Sequence, residues 1–572
     1  MAGLPAEIWT QIFDLAADED LLFQPGIPTA LAESAWFREY WRSQLLVKDS
    51  SSDWSLRSPE QAMDILQRRS YATKKSIVAT CSQWRELGSE SLFRCLYFSH
   101  AKRLLSLCSM LDASSKLSTT ATQSHGWWTR RIHIGPDIHP ISDVSSIETL
   151  VNALVTMIRH CPNIEIFMIR RPLGAAFGPV VDALASFASQ KLHTIYLNIP
   201  GESAAKVIWA FSVLPNIVAA HVAVDTDVPP IQEIPYLGSA GDLQLNLPHL
   251  QQVSLRGYIG ALLEQFVGWD LPSLRSFTID SGTSSSDPED ITEFLKEHGL
   301  KLMLLDLNLK LFVDVTLVLE LCPNLTTFAF NADWRITPHN EHASDLVKRP
   351  HEHIATIGLH GLLYAFGVGT RYQMATSSNS FEAQYAAKSN DLNMAALNRR
   401  NFPKLQRIRT LSSRMLEDLN NADGPSVANG GYHRWNRWWQ ASTDAGIRLE
   451  DCTGALLGTL PCEEEEESDE ESDEEEEEDE VTDLLVANEE DLGNESEGNS
   501  AEEDDDNDQG DDSDSWGTES VSDRKSWHSE NPPQAPGVLS QLIQEVRAMN
   551  ETRDEALIAR IRIPRPTSPW GS

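Results

Sequence analysis

Four histidines cluster in the 572-residue sequence around Asp333 and Glu352, a combination of residue types that could bind a metal ion: His339, His342, His351 and His353. Their spacings of 3, 9 and 2 residues match no common zinc pattern, and Pro338 and Pro350 favour an exposed loop. The sequence also lacks a glycine-rich phosphate loop, a Gly-x-Ser-x-Gly elbow and a His-Glu-x-x-His motif. We therefore predict no catalytic residue, no cofactor-binding residue and no metal site, and a protein that is not an enzyme.

Two pairs of adjacent arginines are a second candidate for binding: Arg130 with Arg131, and Arg170 with Arg171. A guanidinium group can bind an acidic peptide or a phosphate through paired hydrogen bonds. Each pair also flanks an apolar segment typical of a strand. The alternative interpretation is therefore that these arginines are ordinary surface residues.

Residues 4–16 have the pattern of a short helix with one apolar face. The apolar residues recur at helical spacing: Ile8, Ile12, Leu15 and Ala16. Pro5 suits the start of a helix, and Glu7 lies in the first turn, where the helix dipole favours an anion.

The order Leu-Pro-x-Glu-Ile-x-x-x-Ile-Phe-x-x-Ala in this segment resembles the opening of an F-box, the module that docks substrate receptors on cullin-RING ubiquitin ligases. A second part of the resemblance lies at 71–94, where the family has a Val-Cys-x-x-Trp-like motif and a short Leu-rich helix that leads into a strand. These places are filled by Cys81, Trp84, Leu87, Leu92 and Phe93. The sequence departs from the family in a long insertion at about 19–70, which either loops out of the interface or alters it.

The resemblance implies that residues 1–100 form a helical module that binds a Skp-family adaptor. Carried over by position, the adaptor-binding residues are Leu4, Pro5, Ile8, Ile12, Phe13, Cys81, Trp84 and Leu87. Some of them are also candidates for the core, since Trp84 could pack inward against Ile8 and Ile12. The alternative is that the helices only cap the next domain.

Apolar residues at i, i+3 and i+5 recur from about residue 127. Eight such sets start 23 to 33 residues apart: Ile164/Phe167/Ile169, Leu192/Ile195/Leu197, Ile217/Ala220/Val222, Leu250/Val253/Leu255, Leu274/Phe277/Ile279, Leu302/Leu305/Leu307, Leu325/Phe328/Phe330 and Ile354/Ile357/Leu359. This period is near the roughly 20–29 residues of leucine-rich repeats, whose L-x-x-L-x-L core forms a strand. Ile132/Ile134 and Leu405/Ile408 are weaker sets. The 51 residues from Ile354 to Leu405 leave room for two units, and the polar, irregular stretch 366–400 within them is either an insertion or a degenerate repeat.

We therefore predict an α/β fold in which the helical F-box-like module precedes an irregular leucine-rich-repeat solenoid, or horseshoe, at 127–460. The segments 147–160 and 290–299 are predicted helices between strands. Residues 430–460 are a predicted C-terminal cap, with a helix at 432–440 and a last strand at 446–451. An ordinary sheet of βαβ units is the alternative.

Acidic residues are concentrated near the C-terminus. The formal net charge is −39, and residues 463–519 contain 32 Asp and Glu but no Lys or Arg, which leaves 53 acids against 46 bases elsewhere. We predict that the low-complexity tail 462–534 is disordered, because it repels itself and contains little that is apolar. Within it, Ser468 and Ser472 resemble acidophilic phosphorylation sites. An apolar stripe follows and predicts an amphipathic helix at 536–563: Leu539, Leu542, Ile543, Val546 and Met549.

Taken together, these features resemble the F-box/leucine-rich-repeat class of substrate receptors. The resemblance implies two partners, a Skp-family adaptor that leads to a cullin and an unknown protein substrate bound by the repeats. The alternative is a leucine-rich scaffold or chromatin-associated protein whose acidic tail binds basic proteins such as histones. The seven cysteines form no Cys-x-x-Cys pair, and no apolar run approaches the roughly 20 residues of a membrane span. We expect a cytoplasmic or nuclear protein that binds neither membrane nor nucleic acid.

Overall fold

The computed structural model of the chain describes residues 5–31, 37–40, 54–117, 125–139, 145–171, 173, 177–224, 237–281, 288–309, 313–334, 347, 349–377 and 381–457. Several predictions on the sequence lie outside these residues, namely those for Leu4, the acidic tail 462–534 with Ser468 and Ser472, and the helix at 536–563.

Twelve parallel strands form one continuous sheet in this part of the chain, and each strand pairs with the next along the sequence. A separate antiparallel pair consists of β1 (Phe37–Tyr40) and β2 (Trp54–Arg57). The sheet contains β3 (Cys95–His100), β4 (Arg131–His139), β5 (Ile166–Ile169), β6 (Thr194–Ile199), β7 (Ala219–Val224), β8 (Gln252–Gly257), β9 (Ser276–Asp280), β10 (Leu304–Asn308), β11 (Thr327–Asn331), β12 (Thr356–His360), β13 (Arg407–Thr410) and β14 (Arg448–Glu450).

The predicted strands are confirmed. The last two residues of each of the eight predicted sets lie on β5 to β12, and all 24 side chains of those sets are at most 3% exposed. The weaker sets lie at β4 and β13, and the predicted last strand contains β14. The long interval between the last two sets is an insertion: β12 pairs directly with β13, and among the described residues the interval adds helices and no further strand.

Helices connect the strands and complete one continuous apolar core with the strand residues. The segments 147–160 and 290–299, predicted as helices, are α6 and α10, and the segment 432–440 lies in α15. No helix in the described ranges has both the length and the apolar character that crossing a membrane requires. The helices are α5 (Ala101–Leu117), α6 (Ser145–His160), α7 (Gly178–Ala183), α8 (Ala204–Ser212), α9 (Gly260–Val267), α10 (Pro288–His298), α11 (Val315–Leu321), α12 (Thr370–Ser377), α13 (Phe381–Ala396), α14 (Ser413–Asn421) and α15 (Gly431–Asp444).

Asparagines in Pro-Asn turns join successive units. Three of these turns follow α6, α8 and α11, where proline cannot continue a helix. Each asparagine donates its side-chain amide to a backbone carbonyl of the preceding unit: Asn163 to Trp127 at 2.8 Å, Asn216 to Gln190 at 2.9 Å and Asn324 to Leu300 at 2.8 Å. These bonds hold one unit on the next in addition to the strand pairing.

Four further helices precede the sheet. Helix α3 begins with a capping box, in which Ser58 and Gln61 bond to each other's backbone N–H. Helix α4 begins where the Cys81 thiol accepts from Trp84 N–H at 3.4 Å, and it runs directly into β3. The module is therefore continuous with the sheet. Its helices are α1 (Ala6–Ala16), α2 (Glu19–Leu22), α3 (Pro59–Thr80) and α4 (Ser82–Arg94).

Residues that alternate with the buried strand residues point to the opposite side of the sheet, which we call the inner face. Parallel strands are about 4.8 Å apart, whereas packed helices need about 8–10 Å, so a sheet with helices along one side curves with its strands inside. On this face Met63 of α3 packs against Ile166, Met168 and Tyr196. Helix α3 therefore lies over the inner face at β5 and β6.

Candidate functional site

A small aromatic core holds α1 against α3 and α4. Trp9 and Phe13 of α1 are buried together with Ile77 of α3, and Trp84 and Leu87 of α4 pack on them. The ring centroid of Trp84 lies 5.0 Å from that of Trp9 and 5.3 Å from that of Phe13, and Trp84 meets the Phe13 ring edge-on. Such tilted and edge-on contacts are favourable for aromatic pairs. Helix α1 is thus fixed by one of its faces.

A second face of α1 is apolar and exposed. Ile8 is 39% exposed and Leu15 is 64% exposed, and Pro5 at the start of the helix is exposed as well. Ile12 lies between Ile8 and Leu15 at helical spacing and is half-buried at the edge of the aromatic core. These four residues form the α1 stripe, an apolar surface on a helix whose other face is already buried.

The predicted adaptor-binding residues thus divide into two groups. Pro5, Ile8 and Ile12 have side-chain surface on the α1 stripe. The others that the structure describes lie in or beside the aromatic core: Phe13, Cys81, Trp84 and Leu87. Trp84 does pack inward, but its ring contacts are with Trp9 and Phe13. The sequence placed Leu15 on the apolar face of the helix but not among the adaptor-binding residues, and Trp9 was in neither set, although it lies one helical turn before Phe13.

Buried charges hold the module together below this core. The Glu19 carboxylate lies 2.5 Å from Lys74 Nζ and 2.8 Å from Arg94 Nη1, and it accepts a hydrogen bond from Ser91 at 3.0 Å. Asp14 is 2.7 Å from Arg94. Burial opposes ionisation of Glu19, but Lys74 and Arg94 together outweigh it and hold the pKa of Glu19 below its ordinary value. Lys74 and Arg94 thus meet the carboxylates of Asp14, Glu19 and Glu90, and the cluster connects α1, α2, α3 and α4.

A second polar cluster fixes α3 to the inner face. Asp64 of α3 lies 2.5 Å from Arg170 and 3.0 Å from His133 of β4. Burial opposes ionisation of Asp64, but His133 and Arg170 hold its pKa below the ordinary value. The interpretation of the arginine pairs as surface groups is wrong for Arg131, which is buried, and for Arg170, which pairs with the buried Asp64. Arg130 keeps a side chain that is 40% exposed and donates two 2.7 Å hydrogen bonds to Glu165.

Residues 22–31 also lie on the inner face, although sequence reasoning assigned them to an insertion that either loops out or alters the adaptor interface. Phe23 and Ile27 pack beside Met168 and Tyr196, and Leu31 packs much farther along the sheet. The signal in the sequence was the spacing of four residues between Phe23, Ile27 and Leu31, in a segment that its prolines keep from being helical.

Among the described residues, no three His, Cys, Asp or Glu side chains converge as a metal site would require. Of the four clustered histidines, His351 is buried with Nε2 at 3.0 Å from the Cys322 carbonyl oxygen, while His339 and His342 lie outside the described residues. Comparison of the chain with protein-family models and with curated proteins finds no match.

Proposed function

We propose that this chain is a substrate-recognition subunit of an SCF-type cullin-RING ubiquitin ligase. Its N-terminal helices act as an F-box that docks on a Skp-family adaptor, and its strand–helix units act as a leucine-rich-repeat solenoid that binds a protein substrate. The observation that carries the proposal is the α1 stripe, with Ile8 39% exposed and Leu15 64% exposed on a helix whose opposite side is packed.

An exposed apolar stripe favours a protein partner. Apolar surface gains free energy on leaving water, by roughly 25 cal/mol for each Å² buried, and contiguous exposed patches of this kind mark interaction sites. Pro5, Ile8, Ile12 and Leu15 offer their side chains to a partner without any rearrangement of the aromatic core, because Trp9 and Phe13 already hold the helix. The stripe is also the segment that resembles the opening of an F-box.

The attachment of the module to the sheet fits the mechanism of such a receptor. A receptor of this class acts by proximity: it holds a substrate beside the ubiquitin-loaded enzyme and raises its effective concentration. A stiff connection between the adaptor site and the substrate site serves this purpose. Helix α4 runs without a break into β3, and Asp64 ties α3 to Arg170. No catalytic residue is needed in the chain itself.

The test measures binding of the full chain to the purified Skp-family adaptor by calorimetry. The variant Ile8→Asp/Leu15→Asp places two charges on the stripe, and we expect its affinity to fall at least about tenfold, as for interface anchors. Leu300→Asp is the matched control, since Leu300 is 63% exposed and lies far along the sequence in another unit; we expect it to bind like the parent. Melting curves check that both variants are folded.

Absence of binding by the parent chain would refute the proposal, as would equal affinities of the parent and the stripe variant. If binding of the parent chain to histones is instead lost when residues 463–519 are deleted, the scaffold interpretation replaces it.

A further inference from the structure

Three side chains of the inner face bind the main chain of residues 22–31, which we call the inner segment. The three come from β4, β8 and β13, so the contacts extend over ten neighbouring strands. Arg131 donates to Leu22 O at 2.5 Å, Gln252 accepts from Ile27 N–H at 2.8 Å and donates to Ile27 O at 2.7 Å, and Arg409 donates to Leu31 O at 3.2 Å. These contacts recognise backbone atoms and are indifferent to side-chain identity.

The side chains of the inner segment are recognised at every fourth residue. Phe23 and Ile27 lie in one apolar pocket with Met168 and Tyr196. Leu31 packs on Ala329 and Leu411 in a second pocket.

Small residues create the second pocket. Ala329 and Gly358 are register partners on β11 and β12. A Cβ atom at Gly358 would lie 2.9 Å from Leu31 Cδ2 and 2.8 Å from Ala329 Cβ, so any larger residue would displace the leucine. The inner face is therefore shaped to admit a large aliphatic side chain at this point.

The inner segment has the conformation of a bound peptide. Pro25 and Pro28 cannot donate to a strand and do not continue a helix, so the segment crosses the strands without pairing with any of them. Gly26 has φ 126°, a value that favours glycine, and its missing side chain leaves room for Gln252, whose Oε1 would lie 3.2 Å from a Cβ atom there.

We propose that the inner face is a binding groove for an extended polypeptide segment of a partner protein, with large apolar residues at every fourth position, and that residues 22–31 occupy this groove as an internal competitor. The proposal stands on the contacts between the segment and the sheet and does not rest on adaptor binding. A tethered segment has a high effective concentration and fills the groove most of the time. The apparent affinity for an external peptide is the intrinsic affinity multiplied by the fraction of time that the groove is empty.

The experiment uses the full chain and a fluorescein-labelled peptide with the sequence of residues 22–31, read by fluorescence anisotropy. The variant Ile27→Asp/Leu31→Asp removes two apolar contacts of the internal segment. We expect it to bind the peptide at least about tenfold more tightly than the parent does. Gln24→Asp changes an exposed residue of the same segment and serves as the matched control, with the affinity of the parent.

We call Ile27→Asp/Leu31→Asp the release variant. Addition of Gln252→Ala to it should lower the affinity for the peptide again, because this substitution removes both hydrogen bonds to the main chain of Ile27. A second measurement needs no variant: amide exchange of residues 22–31 in the parent chain should accelerate when unlabelled peptide is added in excess.

The proposal is overturned if the release variant does not bind the peptide and amide exchange in the parent is unchanged when peptide is added. This holds whether the variant melts like the parent or at a lower temperature. The inner segment is then a fixed structural element of the fold.

Discussion

Replacement of Glu19 by Gln tests how the N-terminal helices are held. Glu19 is 4% exposed and forms ion pairs with Lys74 at 2.5 Å and with Arg94 at 2.8 Å. The two cations differ in whether they have other ion pairs. Arg94 also pairs with Asp14 and Glu90, whereas Lys74, only 1% exposed, has no second ion pair among the residues that the structure describes.

This difference sets the size of the effect. Glu19→Gln leaves the Lys74 ammonium buried without a counter-charge, and breaking a buried pair in this way costs about 3–5 kcal/mol. Lys74→Met removes the buried cation and keeps a side chain of similar length, while Glu19 retains Arg94 and Ser91, so we expect about 1–2 kcal/mol. The double variant has no orphaned cation, and its cost should be below the sum of the two by about 2 kcal/mol.

The assay is native-state amide exchange along α3, which gives the free energy of opening of this helix. Urea unfolding followed by far-ultraviolet circular dichroism provides the global value. An unpaired Lys74 charge is not what destabilises the variant if Glu19→Gln costs no more than Lys74→Met, or if the two costs simply add.

The pH dependence is a further arm of the same experiment. Burial opposes ionisation of Glu19, but Lys74 and Arg94 hold its pKa below the ordinary 4.5. A carboxylate with a lowered pKa in the folded state stabilises the fold above its unfolded pKa, and the contribution is lost as the pH falls through the folded value. The parent should therefore lose stability below pH 4.5 more steeply than Glu19→Gln. Burial and the neighbouring Glu19 raise the pKa of Asp14, which shares Arg94 with Glu19, so part of the difference between the two pH profiles comes from Asp14.

Two other substitutions test the packing of the sheet units. Gly431 begins α15, and a Cβ atom there would overlap the Phe366 carbonyl. Gly431→Ala should therefore lower the free energy of unfolding by about 2–4 kcal/mol, measured by thermal unfolding. Gly260→Ala is the control and should be near neutral, because at the start of α9 the new Cβ meets no neighbouring side chain or other element within 4 Å. Asn163→Ala removes the 2.8 Å bond to Trp127 and should cost about 0.5–1.5 kcal/mol in urea unfolding, and an unchanged stability would show that strand pairing alone joins the units.

The strands could be predicted because one set of residues produces both the pattern and the core. Leu305 and Phe328, for example, recur at the same place in successive units and are register partners on β10 and β11, where both are buried. A parallel strand packed against helices leaves little freedom in such positions. The turn asparagines could be predicted only in part. Asn163 suits the geometry of a turn, but its bond to the Trp127 carbonyl of the preceding unit depends on a neighbour in space.

The polar half of the structure could not be predicted in the same way. Lys74 and Asp64 look like solvent-facing residues of a charged helix, and they are buried because oppositely charged partners from other elements meet them. Gln252 has the pattern of an outward-facing strand residue, yet it binds Ile27 across 225 positions of sequence. Contacts of this kind carry no periodic signal, because each depends on a single pair of residues that are distant in the chain.

The two proposed sites are joined by a short piece of chain. Helix α2 begins at Glu19, which lies in the charged cluster beside α1, and it ends at Leu22, whose carbonyl is the first atom bound in the groove. Release of the inner segment therefore frees the end of α2, only three residues from the cluster that fixes α1 and its apolar stripe. If a peptide in the groove changes the affinity for the adaptor by some factor, the adaptor must change the affinity for the peptide by the same factor, since linkage is reciprocal. Measuring each affinity in the presence of the other ligand therefore determines whether the inner segment joins the two sites or merely separates them.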